Sequence, residues 1–242
     1  MKRTLFTIIL LAFIPMTSFC QEVKNHLPGK LRLGIQFSPN YCYRSLKSTD
    51  SNGSSLISFR NNNEIPKISF RTGIAGILDL NSRLSIRSGL LFSNYGYNGR
   101  SSDLVYQDSL YVDTPIPVSF RQNEAFLYMI IPAKIDYCLL YGKLKFFISA
   151  GIETNILLTN RKKSFIGYED GTSSISINTT RTYFHNIAFS VAGSAGIEYR
   201  IGQQLGLRVE PEYQRFITSM TNTPIKGYLY SAGLNLSLLY RL

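Results

Sequence analysis

The run Phe126-LYMIIPAKIDYCLLYGKLKFFISAGIETNIL-Leu158 decides the fold. Read with period two, its first half sets Leu127, Met129, Ile131, Ala133, Ile135, Tyr137 and Leu139 on one face. Tyr128, Ile130, Pro132, Lys134 and Asp136 take the other. After the tight turn Tyr141-Gly142-Lys143, the second half sets Leu144, Phe146, Ile148, Ala150, Ile152 and Ile156 against Lys145, Phe147, Ser149, Gly151, Glu153 and Asn155. Alternation of this kind is the pattern of a β-strand whose two faces meet different surroundings.

The same rhythm extends over eight strand-like runs: 30–43, 67–80, 83–95, 124–140, 143–158, 186–200, 204–216 and 227–242. Asn81-Ser82, Tyr141-Gly142 and Ile201-Gly202-Gln203 are short turns. Segments 44–66, 96–123 and 159–185 are long and polar, and 217–226 is a shorter loop. Short turns at one end and long loops at the other are the arrangement of outer-membrane barrels. The expected fold is all-β: an eight-stranded antiparallel up-and-down transmembrane β-barrel over 30–242, preceded by a cleaved signal peptide.

The start of the chain fits that reading. Lys2 and Arg3 precede an apolar run from Leu5 to Pro15, then small and polar residues. That order is a secretory signal, and the run is shorter than the roughly 20 residues a spanning helix needs. Residues 1–20 are read as the signal peptide, cut after Cys20, and 21–29 as a periplasmic lead. Removing Lys2 and Arg3 lowers the formal charge from +11 to +9. The cysteines left, Cys42 and Cys138, fall near opposite barrel ends, too far apart for the roughly 7 Å limit of a disulfide.

The polar face is rich in Gly, Ser and Ala with sparse charges of both signs, which suits a crowded lumen better than a solvated exterior. Aromatic residues gather near the strand ends. Phe37, Tyr41, Tyr43, Phe92, Tyr95, Tyr213, Tyr228 and Tyr230 mark the outer rim, and Tyr137, Tyr141, Tyr199 and Tyr240 the periplasmic one. Belts of this kind are expected at both membrane interfaces.

Eight strands enclose a space that side chains just fill. The expected polar network of the lumen is Arg71, Arg87, Lys134, Asp136, Lys145, Glu153, Glu198, Arg208, Glu210 and Glu212, with Arg32, Arg83, Arg241 and Asp79 also directed inward. Opposite charges buried together must pair. Glu153 or Glu210 as part of a binding or gating site is the sharper alternative.

Beyond the signal segment, basic residues are scattered singly except Arg161-Lys162-Lys163, so the positive balance suits anionic lipid and lipopolysaccharide, not nucleic acid. No catalytic, cofactor or metal motif is present; Gly193-Ser194-Ala195-Gly196 lies within a strand and opens no helix. A rim-site hydrolase of lipid or peptide would use His185 with Ser190 and Glu169. A soluble periplasmic lipid-binding barrel is the other alternative. Tyr106, Tyr111, Arg121, Arg161, Lys162, Lys163, Tyr168, Arg181 and Tyr183 in the long loops are candidate contacts for a protein partner.

Three stretches resemble the PorT-type outer membrane protein beta-barrel domain family of Gram-negative bacteria. They are Phe126 to Lys134, Phe147 to Gly151, and Ala192 to Tyr199, with Glu210-x-Glu212-Tyr213 and Gly233-x-Asn235 also similar. The resemblance spans about 31–242 and its motifs are loose. It implies an eight-stranded outer-membrane barrel without catalytic residues. Barrel-assembly machinery is an expected partner of a barrel of this kind. Leu242 in place of a terminal aromatic residue and Tyr128 at a position often acidic are departures. The family's namesake assists protein secretion; a structural, adhesive or secretion-partner role through the outer loops is the expected function.

Overall fold

The computed structural model describes residues 31–49, 53–105 and 115–242. The signal peptide and lead, at 1–20 and 21–29, lie outside the described residues, as do Tyr106 and Tyr111. Among the described residues ten strands form one antiparallel sheet. They are β1 (Leu31–Ser48), β2 (Glu64–Asp79), β3 (Leu84–Gly99), β4 (Ser102–Asp103), β5 (Pro117–Leu140), β6 (Leu144–Tyr168), β7 (Ser173–Thr180), β8 (Ile187–Ile201), β9 (Leu205–Phe216) and β10 (Ile225–Arg241). Among the described residues one helix, α1 (Gly53–Asn63), connects β1 to β2.

Eight of the strands close a ring in the order β1-β2-β3-β5-β6-β8-β9-β10, with β10 returning to β1 from Arg32↔Arg241 to Ser48↔Ile225. A closed ring has no edge, so every backbone group can pair within the sheet. Prolines inside such strands therefore cost ladder bonds. Pro39, Pro132 and Pro211 each sit at a gap in one neighbouring ladder: β1–β10, β5–β3 and β9–β8 respectively.

The period-two pattern separates the faces along each strand. Ile35, Ile74, Ile135, Ile148, Ile152, Val191, Leu207 and Leu238 point outward and are exposed, while the charged partners point inward and are buried. A soluble barrel has the opposite polarity. The exposed band is the lipid-facing surface of a membrane barrel. Among the described residues no helix is long and apolar enough to cross a membrane.

The ends of the strands differ from the sequence expectation. β5 begins at Pro117 and β6 continues to Tyr168, so much of the expected loops 96–123 and 159–185 is sheet. β7 folds back on β6 through Asp170-Gly171, where Gly171 has φ +81°. Asp170 Oδ1 accepts bonds from the Thr172 amide at 2.9 Å and its hydroxyl at 2.6 Å. An Asp-Gly turn between residues rich in Ser, Thr and Ile is a hairpin signal, which the polarity of the segment masks. Segment 44–66 likewise contains α1, whose Ser and Asn residues are poor helix formers. The helix is secured from outside: Arg44 donates to Asn61 at 2.9 Å and Arg60 pairs with Glu64 at 2.7 Å.

Two side chains depart from their expected places. Arg83 is exposed in the β2–β3 turn, with its guanidinium 3.5 Å from the Tyr137 hydroxyl, because that turn projects beyond the ring. Tyr95 lies inside the barrel and is only 1% exposed. It shares the parity of Arg87 on β3, so the pleat carries it inward. Phe37, Tyr41, Phe92, Tyr213, Tyr137, Tyr199 and Tyr240 are exposed on the outer surface.

Candidate functional site

The interior is layered. Nearest the short turns, Arg32 bridges Asp79 at 2.7 Å and Glu198 at 2.6 Å, with Lys145 3.9 Å from Glu198. Above it, Arg208 pairs with Asp136 at 2.7 Å and Glu210 at 3.0 Å, while Arg87 spans the same two carboxylates. Ser194 and Asn235 donate to Glu210, and the Arg208 guanidinium stacks 3.5 Å from the Phe147 ring centre. Gly196 leaves room for that stack, since a Cβ there would lie 2.8 Å from the Phe147 ring.

In the next layer Arg71 reaches Glu153 at 3.2 Å and also pairs with Glu212. Lys134 holds the same two carboxylates at 2.8 and 2.6 Å. All ten residues of the expected network are thus buried inside the ring, where Arg32 and Asp79 join them. Six cations (Arg32, Arg71, Arg87, Lys134, Lys145, Arg208) face six carboxylates (Asp79, Asp136, Glu153, Glu198, Glu210, Glu212). The formal charge of this set is zero. Glu153 and Glu210 are each held by two cations.

Beyond the charges lies a neutral layer that the sequence reading omitted. Gln214 accepts from Tyr95 and donates to Ser190 at 2.7 Å, and Asn155 donates to Ser190 at 2.8 Å. Tyr95, Tyr128, Phe126 and Phe216 then close the lumen with rings 5.5 to 6.5 Å apart. Phe184 caps Phe126 edge-on at 5.1 Å. Inward parity on β5 and β9 points to these residues, but it does not say where a charged lumen becomes an aromatic one.

Above the aromatic layer is an open vestibule of about 430 Å³. Phe59, Arg60 and Glu64 form one wall, and Tyr97, Phe120, Gln122, Glu124, Lys162 and Tyr183 contribute others. The β-bulge where Leu127↔Thr159 gives way to Tyr128↔Leu157 shifts the parity of β6. It turns Lys162 inward beside Glu124 and leaves Arg161 and Lys163 outward. Tyr97 and Asn160 both donate to Glu124, and Arg60 donates to the Tyr97 hydroxyl at 3.0 Å. Burial works against the Arg60 charge, but the Tyr97 oxygen and Glu64 outweigh it and raise its pKa. Lys162 and Arg100 carry no ion pair among the described residues.

The volume lies within the range of small-molecule sites. Its flat rings can stack on a ligand, while Gln122, Lys162 and Arg100 offer polar contacts at the sides. Among the described residues, no cluster of His, Cys, Asp and Glu is arranged to hold a metal. His185 is exposed, whereas Ser190 is fully buried in the neutral layer. Glu169 lies at the β6–β7 hairpin tip, thirteen residues along the strand from Ile156, the partner of Ile187. At about 3.3 Å per residue that is roughly 40 Å. The three do not converge. Cys42 and Cys138 are both free.

No family model and no curated protein matches the chain. Solved structures similar to it include Ail, the attachment invasion locus protein of Yersinia pestis, at 11% identity, covering 89% of this chain and 100% of that one, TM-score 0.37. Neisserial surface protein A is 13% identical, with 86% and 95% covered and a TM-score of 0.39. The outer membrane protein OprG from Pseudomonas aeruginosa is 11% identical, with 91% and 99% covered and a TM-score of 0.40. At these scores the likeness carries no weight of its own. It is the closed ring, the outward apolar band and the contrast between short turns and built-up ends that make this an outer-membrane β-barrel protein.

Proposed function

We propose that the protein is a non-enzymatic recognition barrel of the cell surface, with an adhesive role carried by its extracellular end. One observation carries this reading. The barrel is filled below, yet its strands continue outward into a hydrogen-bonded sheet that, with α1, surrounds an open vestibule. A transport role would need a continuous path, and the aromatic and ion-paired layers fill it. A lipid-binding soluble barrel would need an apolar interior, which is the reverse of the observed polarity.

The vestibule suits a polar, ring-shaped ligand such as a terminal sugar of a glycan. Phe59, Phe120 and Tyr183 supply flat apolar surfaces, and Gln122, Lys162 and Arg100 supply donors. Binding of the detergent-purified protein to an array of immobilised oligosaccharides tests this. The Phe59→Ala/Lys162→Gln variant should lose the bound signal; an array without any signal for the unaltered protein would defeat the reading.

The PorT-type resemblance at β5, β6 and β8 favours a second reading, a secretion-assembly partner, with barrel-assembly machinery needed for insertion. Crosslinking at the outer loops in cells, followed by identification of the captured protein, separates the two: a secretion component supports the second, and only glycan capture the first.

A further inference from the structure

We infer that the outward side of the extracellular sheet is a docking face for phosphorylated lipid headgroups of the membrane in which the barrel sits. The inference rests on the membrane reading and not on what the vestibule binds. After the β6 bulge, Arg161, Lys163 and Phe165 project outward, and register places Ala125, Asn123 and Arg121 of β5 beside them. Thr179, Ile177 and Ile175 of β7 continue the same face on the other side.

Its charge pattern is unlike that of the interior. Arg121 lies 4.5 Å from the Phe165 ring centre and Lys163 lies 4.7 Å from it, so one ring holds two cations. Neither they nor Arg161 has an ion-pair partner among the described residues. Asp103 of β4 shares this face beside Ser119, and Glu169 and Asp170 lie at the distant hairpin tip. Two cations gathered on one ring without a carboxylate between them repel, and an anion bridging both relieves that repulsion. Arginine with lysine on a flat support is a good phosphate acceptor.

Height selects the occupant. On β6 the unbroken outward apolar run ends at Ile156 and Leu158, and Arg161 and Lys163 follow just beyond Thr159. With about 3.3 Å per residue and a tilt near 40°, their backbones stand roughly 8 to 13 Å above Leu158. Long basic side chains bend back from that height to the headgroup phosphates below. The sheet face is continuous with the lipid-facing surface of β5 below Leu127, so a lipid seated along the strand presents its phosphate there.

The test uses the full protein in neutral detergent and counts bound lipid by native mass spectrometry. The probes are bis-phosphorylated lipid A, the same glycolipid with its phosphates removed, inorganic phosphate, and a soluble sulfated oligosaccharide. Lipid A should bind at least about tenfold more tightly than its dephosphorylated form, and Arg121→Gln/Arg161→Gln/Lys163→Gln should weaken it by about a hundredfold. Lys47→Gln/Lys226→Gln, which removes two cations elsewhere on the rim, should leave it unchanged. Heat-dependent gel mobility verifies that each variant is folded, and Arg161→Gln alone, expected to lose about fivefold, serves if the triple variant fails. Equal binding of the two glycolipids, full binding by the folded variants, or stronger binding of the soluble sulfated sugar than of lipid A would each overturn the inference. None of these outcomes bears on the vestibule, which lies on the opposite side of the same strands.

Discussion

Replacing Arg71 with Met removes one corner of a four-membered charge cluster and leaves its shape nearly filled. At 3.2 Å from Glu153, and with an effective dielectric constant near 20, the Arg71 pairing has a gross Coulomb energy of about 5 kcal/mol. A second pairing, to Glu212, is lost with it. Lys134 would then face both carboxylates alone, and one buried negative charge would go unmet. Part of the gross energy is offset because Arg71 no longer needs to be desolvated. The net loss should be about 3 to 5 kcal/mol, as for other broken buried pairs. Adding Glu212→Gln restores neutrality, leaves Glu153 with Lys134, and should recover roughly 1 to 3 kcal/mol. Urea unfolding from lipid vesicles, followed by circular dichroism and tyrosine emission, reads both values; the chain has no tryptophan. If Arg71→Met lies within about 0.5 kcal/mol of the unaltered protein, the lumen charges behave as surface charges do, and the sealed-network argument fails. A destabilised single variant with no recovery in the pair would show that packing, and not charge balance, is what Arg71 contributes.

Planar-bilayer recording should find no steady conductance for the unaltered protein, because the aromatic and ion-paired layers block the axis; a stable ohmic channel would contradict the filled lumen. Gly196→Ala should cost about 1 to 3 kcal/mol through crowding of Phe147 and Glu210, measured by the same urea titration. Gly171→Ala places a side chain at φ +81° and should cost the β6–β7 hairpin about 1 to 2 kcal/mol, seen as faster amide exchange in β7 with the barrel amides unchanged. Bonds from the Thr172 hydroxyl and amide hold Asp170 below the ordinary aspartate value of 3.8. Their support of the hairpin should be complete above that value and should fade as pH falls through the lowered pKa. The Thr172 amide signal tracks this by NMR, and a shift of that signal near pH 6 would contradict the assignment.

The barrel was legible in the sequence because the membrane enforces period two. Strands such as Leu205–Phe216 and Ile225–Arg241 alternate too strictly for a helix, and the resulting parity identifies the inward charges without any knowledge of partners. What parity cannot supply is distance: nothing in the string says that Arg32 meets Asp79 and Glu198, or that Tyr95 joins Gln214. The extracellular end was harder to read. Lys162 and Lys163 are adjacent and chemically alike; strand alternation puts them on opposite faces, and a single bulge decides which one enters the vestibule. A helix with Ser-Ser and Asn-Asn-Asn in it, and a hairpin whose faces are both exposed, lack the hydrophobic periodicity that reveals core elements.

The inward charges have a consequence before any barrel exists. Were β9 to enter a bilayer as a helix, Arg208, Glu210 and Glu212 would sit in hydrocarbon within about one turn of each other, at about 2.5 to 3.5 kcal/mol for each arginine or aspartate-like charge. The lysines and acids of β5 and β6 interrupt their apolar runs in the same way, and the mean hydropathy of the whole chain is −0.01. An unfolded chain of this kind passes through a helix-inserting membrane without being retained. The residues that later neutralise one another inside the barrel thus first decide which membrane the chain is able to stop in.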